Sequence, residues 1–172
     1  MNPLFILLFL PLFSYFVYPA LNRIFRLTPL RKMGIGFLLT VLSFLVPAWI
    51  ESQLAAGLKP HAGWQVLAYV FISAAEVVIS VTYLEFSYTQ APPSLKSVVM
   101  SLYLAAIALG NLVTAQVNHF IQNPNGTTKL TGATYHLFFT ALMLGATILF
   151  VIVSPFYKGR SYIQGEREAP AT

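Results

Sequence analysis

The chain of 172 residues is 57% hydrophobic and only 9% charged, and its mean hydropathy is +0.71. A soluble domain of this length carries far more charge, so the composition indicates a membrane protein. The sequence contains no cysteine, which excludes a disulfide scaffold, thiolate catalysis and a sulfur-ligated metal site.

Five apolar runs are long enough to cross about 30 Å of hydrocarbon as helices that rise about 1.5 Å per residue. They predict membrane spans at 3–20, 34–54, 63–87, 95–118 and 132–156. Short, turn-rich connections separate these runs, and a polar tail follows at 158–172. The expected fold is therefore all-α, a polytopic bundle of five transmembrane helices within residues 1–157, followed by a polar tail.

The first predicted span has no basic residue ahead of it and contains Pro11 and Pro19. A signal peptide carries its positive charge before the apolar stretch, so a cleaved signal is not expected here. Each proline removes a backbone hydrogen bond, which predicts a kinked helix supported by its neighbours. We therefore expect that preceding helices are missing; the alternative is a short protein whose N-terminus lies outside the cell.

The net charge of +5 is distributed by loop and is not gathered on one soluble face. No recognisable nucleic-acid module is present, so a nucleic-acid partner is not expected. The basic residues concentrate in the first and third connections and in the tail, which predicts that these segments and the C-terminus are cytoplasmic, in a plasma membrane or bacterial inner membrane. The residues concerned are Arg23, Arg26, Arg31, Lys32, Lys96, Lys158, Arg160 and Arg167, against Lys59 and Lys129 in the alternate connections.

A stripe of polar residues follows one face of the third predicted helix: Ser73, Glu76, Ser80, Tyr83 and Ser87. Glu76 lies about 18 Å from the outer end of that helix, close to the middle of the bilayer. A charged side chain at that depth costs about 3 kcal/mol, so the stripe predicts a water-filled cavity, a buried partner or a protonated carboxyl group. The alternative is a glutamate that only joins helices by hydrogen bonding.

Glu85 follows nine residues after Glu76, which turns it about 180° away around the helix. The two carboxylates therefore cannot form a hydrolase pair, and we expect a structural or gating ion pair for Glu85. No nucleophile and base share a face, so an enzyme is not expected. The histidines are scattered without carboxylates at ligand spacing, which argues against a metal site.

Small and polar residues occur along the fourth predicted helix. Asn111, Thr114 and Asn118 share a face. Small residues in membrane helices permit close helix packing, which is the role expected for the group comprising Ala105, Ala106, Ala108 and Gly110.

The stretch "AEVVISVTYLEFSYTQAPPSLKSVVMSLYLAAIALGN" closely resembles the tenth and eleventh helices of the proton-dependent oligopeptide transporter family of the major facilitator superfamily. "NPLFILLFLPLF" and the following "YPAL" resemble the eighth helix of that family. The resemblance covers essentially the whole chain and implies that its five helices are helices eight to twelve of twelve. It implies transport of di- and tripeptides driven by a proton gradient, without a cofactor.

The resemblance also implies roles for individual residues. Glu76 matches the cavity glutamate that recognises the amino group of a peptide, and Asn2 matches an asparagine near the same group. Tyr103 stands where the family commonly has a tryptophan that lines the peptide pocket, and Ser80 is a further candidate substrate contact on the polar stripe. Glu85 matches a second glutamate to which we assign a gating or structural role.

The expected function is that of a fragment of a proton-coupled di- and tripeptide symporter, which supplies the C-terminal wall of the central cavity. The N-terminal half of the family, with its ExxERFxYY proton-coupling motif, is absent from this sequence, so transport by this chain alone is not expected. The expected partners are peptides, protons, the lipid bilayer and that missing half. The alternative is a non-transporting membrane module for interaction or assembly, derived from a transporter.

Overall fold

A computed structural model describes residues 2–123 and 128–157. The described residues form helices joined by short connections, with an isolated β-bridge between Gln122 and Thr128, which confirms the all-α prediction. Its helices are α1 (Asn2–Leu12), a π-helical segment (Phe13–Val17), α2 (Tyr18–Ile24), α3 (Pro29–Ala55), α4 (Gly63–Gln90), α5 (Lys96–Ile121) and α6 (Ala133–Val153). Short 3-10 turns precede α5 at Pro93–Leu95 and follow α6 at Ser154–Phe156.

Five helical segments are long and apolar enough to cross a membrane, and each contains most of one predicted span. The predicted and observed ends differ most in the second segment: the predicted span begins at residue 34, whereas the helix begins at Pro29. Thr28 caps this helix, because its side chain accepts a hydrogen bond from the backbone N–H of Arg31 at 3.4 Å. Pro29 at the first helical position needs no backbone hydrogen-bond partner. The predicted tail, 158–172, lies outside the described residues.

The first membrane-spanning segment, Asn2–Ile24, changes its hydrogen bonding between its two prolines. The N–H of Tyr18 donates to the carbonyl oxygen of Phe13, five residues earlier, which is the spacing of a π-helix. Near Pro11, the Ser14 hydroxyl donates to the Leu10 carbonyl oxygen at 2.8 Å. The segment between the prolines is therefore a π-helical turn, a feature that often accompanies a kink, and the predicted kink itself stays a prediction.

The described chain divides into two compact units, and the boundary falls within α4 after Tyr83. The first unit contains α1, α2, α3, α6 and the part of α4 that ends at Tyr83. In this unit α3 packs on α6 through aromatic rings, with the ring centroids of Phe37 and Phe150 4.9 Å apart. It also approaches α4 closely at Gly36, where an added Cβ would collide with Cγ1 of Ile79.

An apolar cluster joins α1 to α4 within the first unit. Phe9 of α1 and Ala74 and Val77 of α4 are buried together. The rings of Phe5 and Phe9 stack at 5.7 Å, so two successive turns of α1 contribute to this packing. The burial of these side chains fixes the first turns of α1 against the middle of α4.

The second unit contains the end of α4 from Leu84, the turn at Pro93–Leu95 and α5. Ile121 is the buried residue of α5, and an added Cβ at Gly110 would meet no described atom within 4 Å. The described part of the chain thus supplies no close neighbour at Gly110, and the packing role of the small residues stays a prediction. The backbone N–H of Lys129 donates to the carbonyl oxygen of Ile121 at 2.8 Å, and its side-chain Nζ donates to the carbonyl oxygen of Phe120 at 2.9 Å.

Candidate functional site

The first residue of α1 and the middle of α4 form a chain of hydrogen bonds. Nδ2 of Asn2 donates to Oε2 of Glu76 at 2.9 Å. The hydroxyl of Ser73 donates to Oδ1 of Asn2 at 2.5 Å. The amide of Asn2 therefore links a serine and a carboxylate that lie one turn apart on α4.

Local packing explains why these side chains meet. Ser73 and Glu76 are three residues apart on α4, so their side chains project from the same face of the helix. Asn2 lies one turn before Phe5, which packs against the apolar cluster of Phe9, Ala74 and Val77. That apolar cluster holds the start of α1 beside the face of α4 that carries the polar pair.

The three side chains differ in their exposure. Ser73 is fully buried, Asn2 is partly buried and Glu76 is exposed. The carboxylate fixes the orientation of the Asn2 amide, because an ionised Glu76 only accepts hydrogen bonds and so faces Nδ2, which leaves Oδ1 to accept from the buried Ser73 hydroxyl. The Asn2 amide then presents its N–H to Glu76, which leaves the other carboxylate oxygen, Oε1, available for an outside donor.

This arrangement suits the binding of a cation or a proton. An ionised carboxylate only accepts hydrogen bonds, so its natural partners are an ammonium group, a guanidinium group or a proton. Within the described chain, the hydrogen-bond donor on Glu76 is the neutral amide of Asn2, and no basic side chain forms an ion pair with it. The carboxylate is therefore oriented but not neutralised by residues 2–123 and 128–157.

The structure places the other predicted site residues separately. Ser80 is partly buried one turn after Glu76 on α4, and no described hydrogen bond joins it to Asn2 or Ser73. Tyr103 lies on α5 in the second unit and is partly buried. Their contact with a substrate stays a prediction.

Glu85 is exposed and belongs to the second unit. The residues that the structure describes form no ion pair with Glu85, so its gating or structural role stays a prediction. Ser73 was part of the predicted stripe but not among the predicted substrate contacts; its spacing of three residues before Glu76 was the signal that could have singled it out. Among the described residues, no group of three or more histidine, aspartate or glutamate side chains could hold a metal ion.

Comparisons with known proteins agree on one family. The model of the PTR2 or POT family matches residues 1–137. Peptide transporter PTR2 of Saccharomyces cerevisiae is 33% identical over 140 residues, which cover 74% of this chain and 23% of that protein. Solute carrier family 15 member 2 of Danio rerio is 40% identical over 103 residues, covering 56% of this chain and 12% of that protein.

Two solved structures have the same fold as this chain. An auto-inhibited POT family peptide transporter superposes with a TM-score of 0.84 and 30% identity, covering 98% of this chain and 34% of that one. The POT family transporter PepTSo superposes with a TM-score of 0.81 and 33% identity, covering 91% of this chain and 32% of that one. The chain thus spans between 12% and 34% of the length of these four proteins. The family match over most of the sequence, together with the shared fold, shows that this multi-pass membrane chain belongs to the POT family.

Proposed function

We propose that the chain forms the C-terminal wall of the central cavity in a proton-coupled transporter of di- and tripeptides. The observation that carries this proposal is the exposed carboxylate of Glu76, held by Asn2 in the middle of a membrane-spanning helix. The relatives named as peptide transporters support the substrate class. An ionisable group retained within a membrane span is expensive, which favours a functional role over a passive one.

Glu76 recognises the amino end of the peptide in this proposal. The substrate's ammonium group donates charge-assisted hydrogen bonds to the carboxylate, and these bonds strengthen where water is excluded. Ser80, one turn after Glu76 on α4, and Tyr103 on α5 are the further residues to which we assign contacts with the peptide.

The carboxylate end of the peptide requires a cation on the opposite wall. We assign that cation, together with the proton-coupling motif, to an N-terminal half that this chain meets in the complete transporter. The chain's limited coverage of its relatives supports this division of the site.

Sequencing the genomic DNA and the transcript upstream of the Met1 codon tests the division. We expect an in-frame extension that encodes further helices and the ExxERFxYY motif. A genuine start at Met1, with no such extension, would instead favour the alternative of a non-transporting membrane module for interaction or assembly.

The proposed orientation places the connection after α2 and the C-terminus in the cytoplasm. Because the chain contains no cysteine, a single introduced thiol reports one position. In intact cells that express the 172-residue chain, a membrane-impermeant maleimide is expected to label the Lys59→Cys variant. It is expected to label Arg26→Cys only after the membrane is permeabilised. Labelling of Arg26→Cys alone in intact cells would reverse the orientation.

Ser73 acts on peptide binding through Asn2 in this proposal, as a positioning residue. Ser73→Ala removes the donor to Oδ1 of Asn2, which we expect to lower peptide affinity in the complete transporter by roughly fivefold, the effect of about 1 kcal/mol for one hydrogen bond. In an Asn2→Ala background the same change is expected to have little further effect. The measurement is a double-mutant cycle of inhibition constants for peptide uptake. Additive losses would show that Ser73 acts independently of Asn2.

A further inference from the structure

A groove opens in the first unit between the beginning of α3 and the end of α6. Its volume is about 760 Å³. Its walls are largely apolar and include Ile35 and Leu38 from α3 and Phe150 and Val151 from α6. Leu38 and Val151 expose 52% and 56% of their surface, so the groove is open along the side of the helices.

Gly34 leaves the space that forms part of the groove. A Cβ at this position would lie 3.8 Å from the Phe150 ring, an ordinary van der Waals distance. A longer side chain at Gly34 would therefore extend into the groove without displacing the backbone. The pairing of Phe37 with Phe150 holds the ring in this wall.

One end of the groove is basic. Arg31 and Thr28 line this end, and of the described residues that line the groove none is acidic. Nη1 of Arg31 donates to the carbonyl oxygen of Arg26 at 2.8 Å, which restrains the guanidinium group. The remaining N–H groups of that guanidinium can donate to an anion, and Arg23 and Arg26 add positive charge in the same connection.

We propose that this groove binds an anionic phospholipid, with its headgroup phosphate on Arg31 and an acyl chain along Leu38 and Phe150. A basic mouth matches the phosphate, and the apolar walls match the hydrocarbon. Basic pockets between membrane helices at the cytoplasmic side are suited to anionic headgroups, and this end of the bundle is the one whose charge predicts a cytoplasmic position. A free phosphate ion would leave the apolar length of the groove without a partner.

Native mass spectrometry of the full 172-residue chain in detergent tests the site, with dioleoylphosphatidylglycerol and dioleoylphosphatidylcholine titrated separately. The wild-type chain is expected to bind phosphatidylglycerol more tightly. Arg31→Gln is expected to weaken that binding by roughly fivefold and to weaken phosphatidylcholine binding less, because the choline cation of that lipid offsets the charge of its phosphate. Gly34→Leu is expected to reduce the binding of both lipids, because it fills the groove.

Matched variants distinguish binding in this groove from a general attraction of anionic lipids to the basic residues of the chain. Arg23→Gln removes the same charge from outside the groove lining, and Gly145→Leu adds the same bulk where an added Cβ meets no described atom within 4 Å. Equal losses in Arg23→Gln and Arg31→Gln, or unchanged lipid binding in Gly34→Leu, would overturn the proposal. Val151→Trp provides a second test if Gly34→Leu does not fold. Val151 lies in the exposed wall of the groove, and a larger side chain there would fill the groove from that side. Inorganic phosphate is expected not to displace the lipid; displacement would identify a site for free anions instead.

Discussion

Replacing Glu76 by glutamine in the complete transporter is expected to lower its affinity for peptides by roughly ten- to a hundredfold. Glutamine has nearly the same shape, and its side-chain oxygen can still accept the hydrogen bond from Asn2. It lacks the charge that holds the substrate's ammonium group, so the loss falls on the charge-assisted bonds. The measurement is the concentration of a dipeptide that half-saturates its uptake into cells that lack their own peptide transporters.

The chemistry of the substrate provides an internal control for Glu76→Gln. An N-acetylated dipeptide has no ammonium group, so its weaker uptake is expected to change little in the variant. Glu51→Gln makes the same chemical change on α3, outside the Asn2–Glu76 pair, and is expected to leave peptide affinity unchanged. Equal affinity of Glu76→Gln and the wild type for free dipeptides would remove Glu76 from the proposed site.

Gly36→Ala is expected to destabilise the chain by about 1–3 kcal/mol, the usual effect of overpacking a well-packed interior. An added Cβ at this buried position would collide with Cγ1 of Ile79, lie 3.1 Å from its Cδ1 and lie 3.5 Å from the carbonyl oxygen of Ala75. The side chain of Ile79 is branched near the backbone, and Ala75 contributes a backbone atom of α4, so neither can move away from the added Cβ freely. Thermal unfolding in detergent, followed by tryptophan fluorescence, is expected to show a lower Tm, by about 4–8 °C for 2 kcal/mol.

Gly34→Ala is the matched control for Gly36→Ala. It lies two residues away on the same helix, and its added Cβ would stand at an ordinary distance from Phe150. Alanine also favours the helix over glycine, so this variant is expected to have an equal or higher Tm. A Tm for Gly36→Ala that matches that of Gly34→Ala would show that α3 and α4 are not packed closely at this point.

Hydropathy predicts which parts of the chain are apolar enough for the bilayer, but not where the helices end. The predicted second span begins at residue 34 because Arg31 and Lys32 precede it, whereas α3 begins at Pro29. Charged residues are compatible with a helix, and Thr28 supplies the cap that starts this one. Similarly, Pro11 and Pro19 predict a kinked first helix, but they do not predict that a π-helical turn lies between them.

The candidate site is partly within reach of sequence reasoning. The period of a helix places Ser73 and Glu76 on one face, because that relation is local. The hydrogen bond of Glu76 to Asn2 joins residues that are 74 positions apart, and no periodicity relates them. The family resemblance implies that both lie near one substrate group, and their mutual hydrogen bond becomes visible only when α1 is packed on α4.

The packing of small residues likewise depends on tertiary contacts that the local sequence does not predict. The sequence predicts close packing at the small residues of α5, which stays a prediction, but it does not single out Gly36 of α3, where another helix approaches closely in the described chain. A glycine permits the approach of another helix but does not specify which helix arrives. The position of Ile79 opposite Gly36 depends on the tertiary arrangement of α3 and α4.

The π-helical turn at Phe13–Val17 also changes the directions in which side chains before and after it project from the first membrane-spanning segment. Asn2 and Tyr18 are sixteen residues apart, and in an uninterrupted α-helix their directions would differ by roughly 160° around the axis. A π-helical turn absorbs roughly one extra residue, which reduces that difference to about 60°. Asn2 can then bond to Glu76 while the ring of Tyr18 lies 4.4 Å from the ammonium nitrogen of Lys32. Deleting one residue from this turn would allow a regular α-helix that keeps the two ends about 60° apart, whereas straightening the turn at its present length would rotate them to roughly 160°.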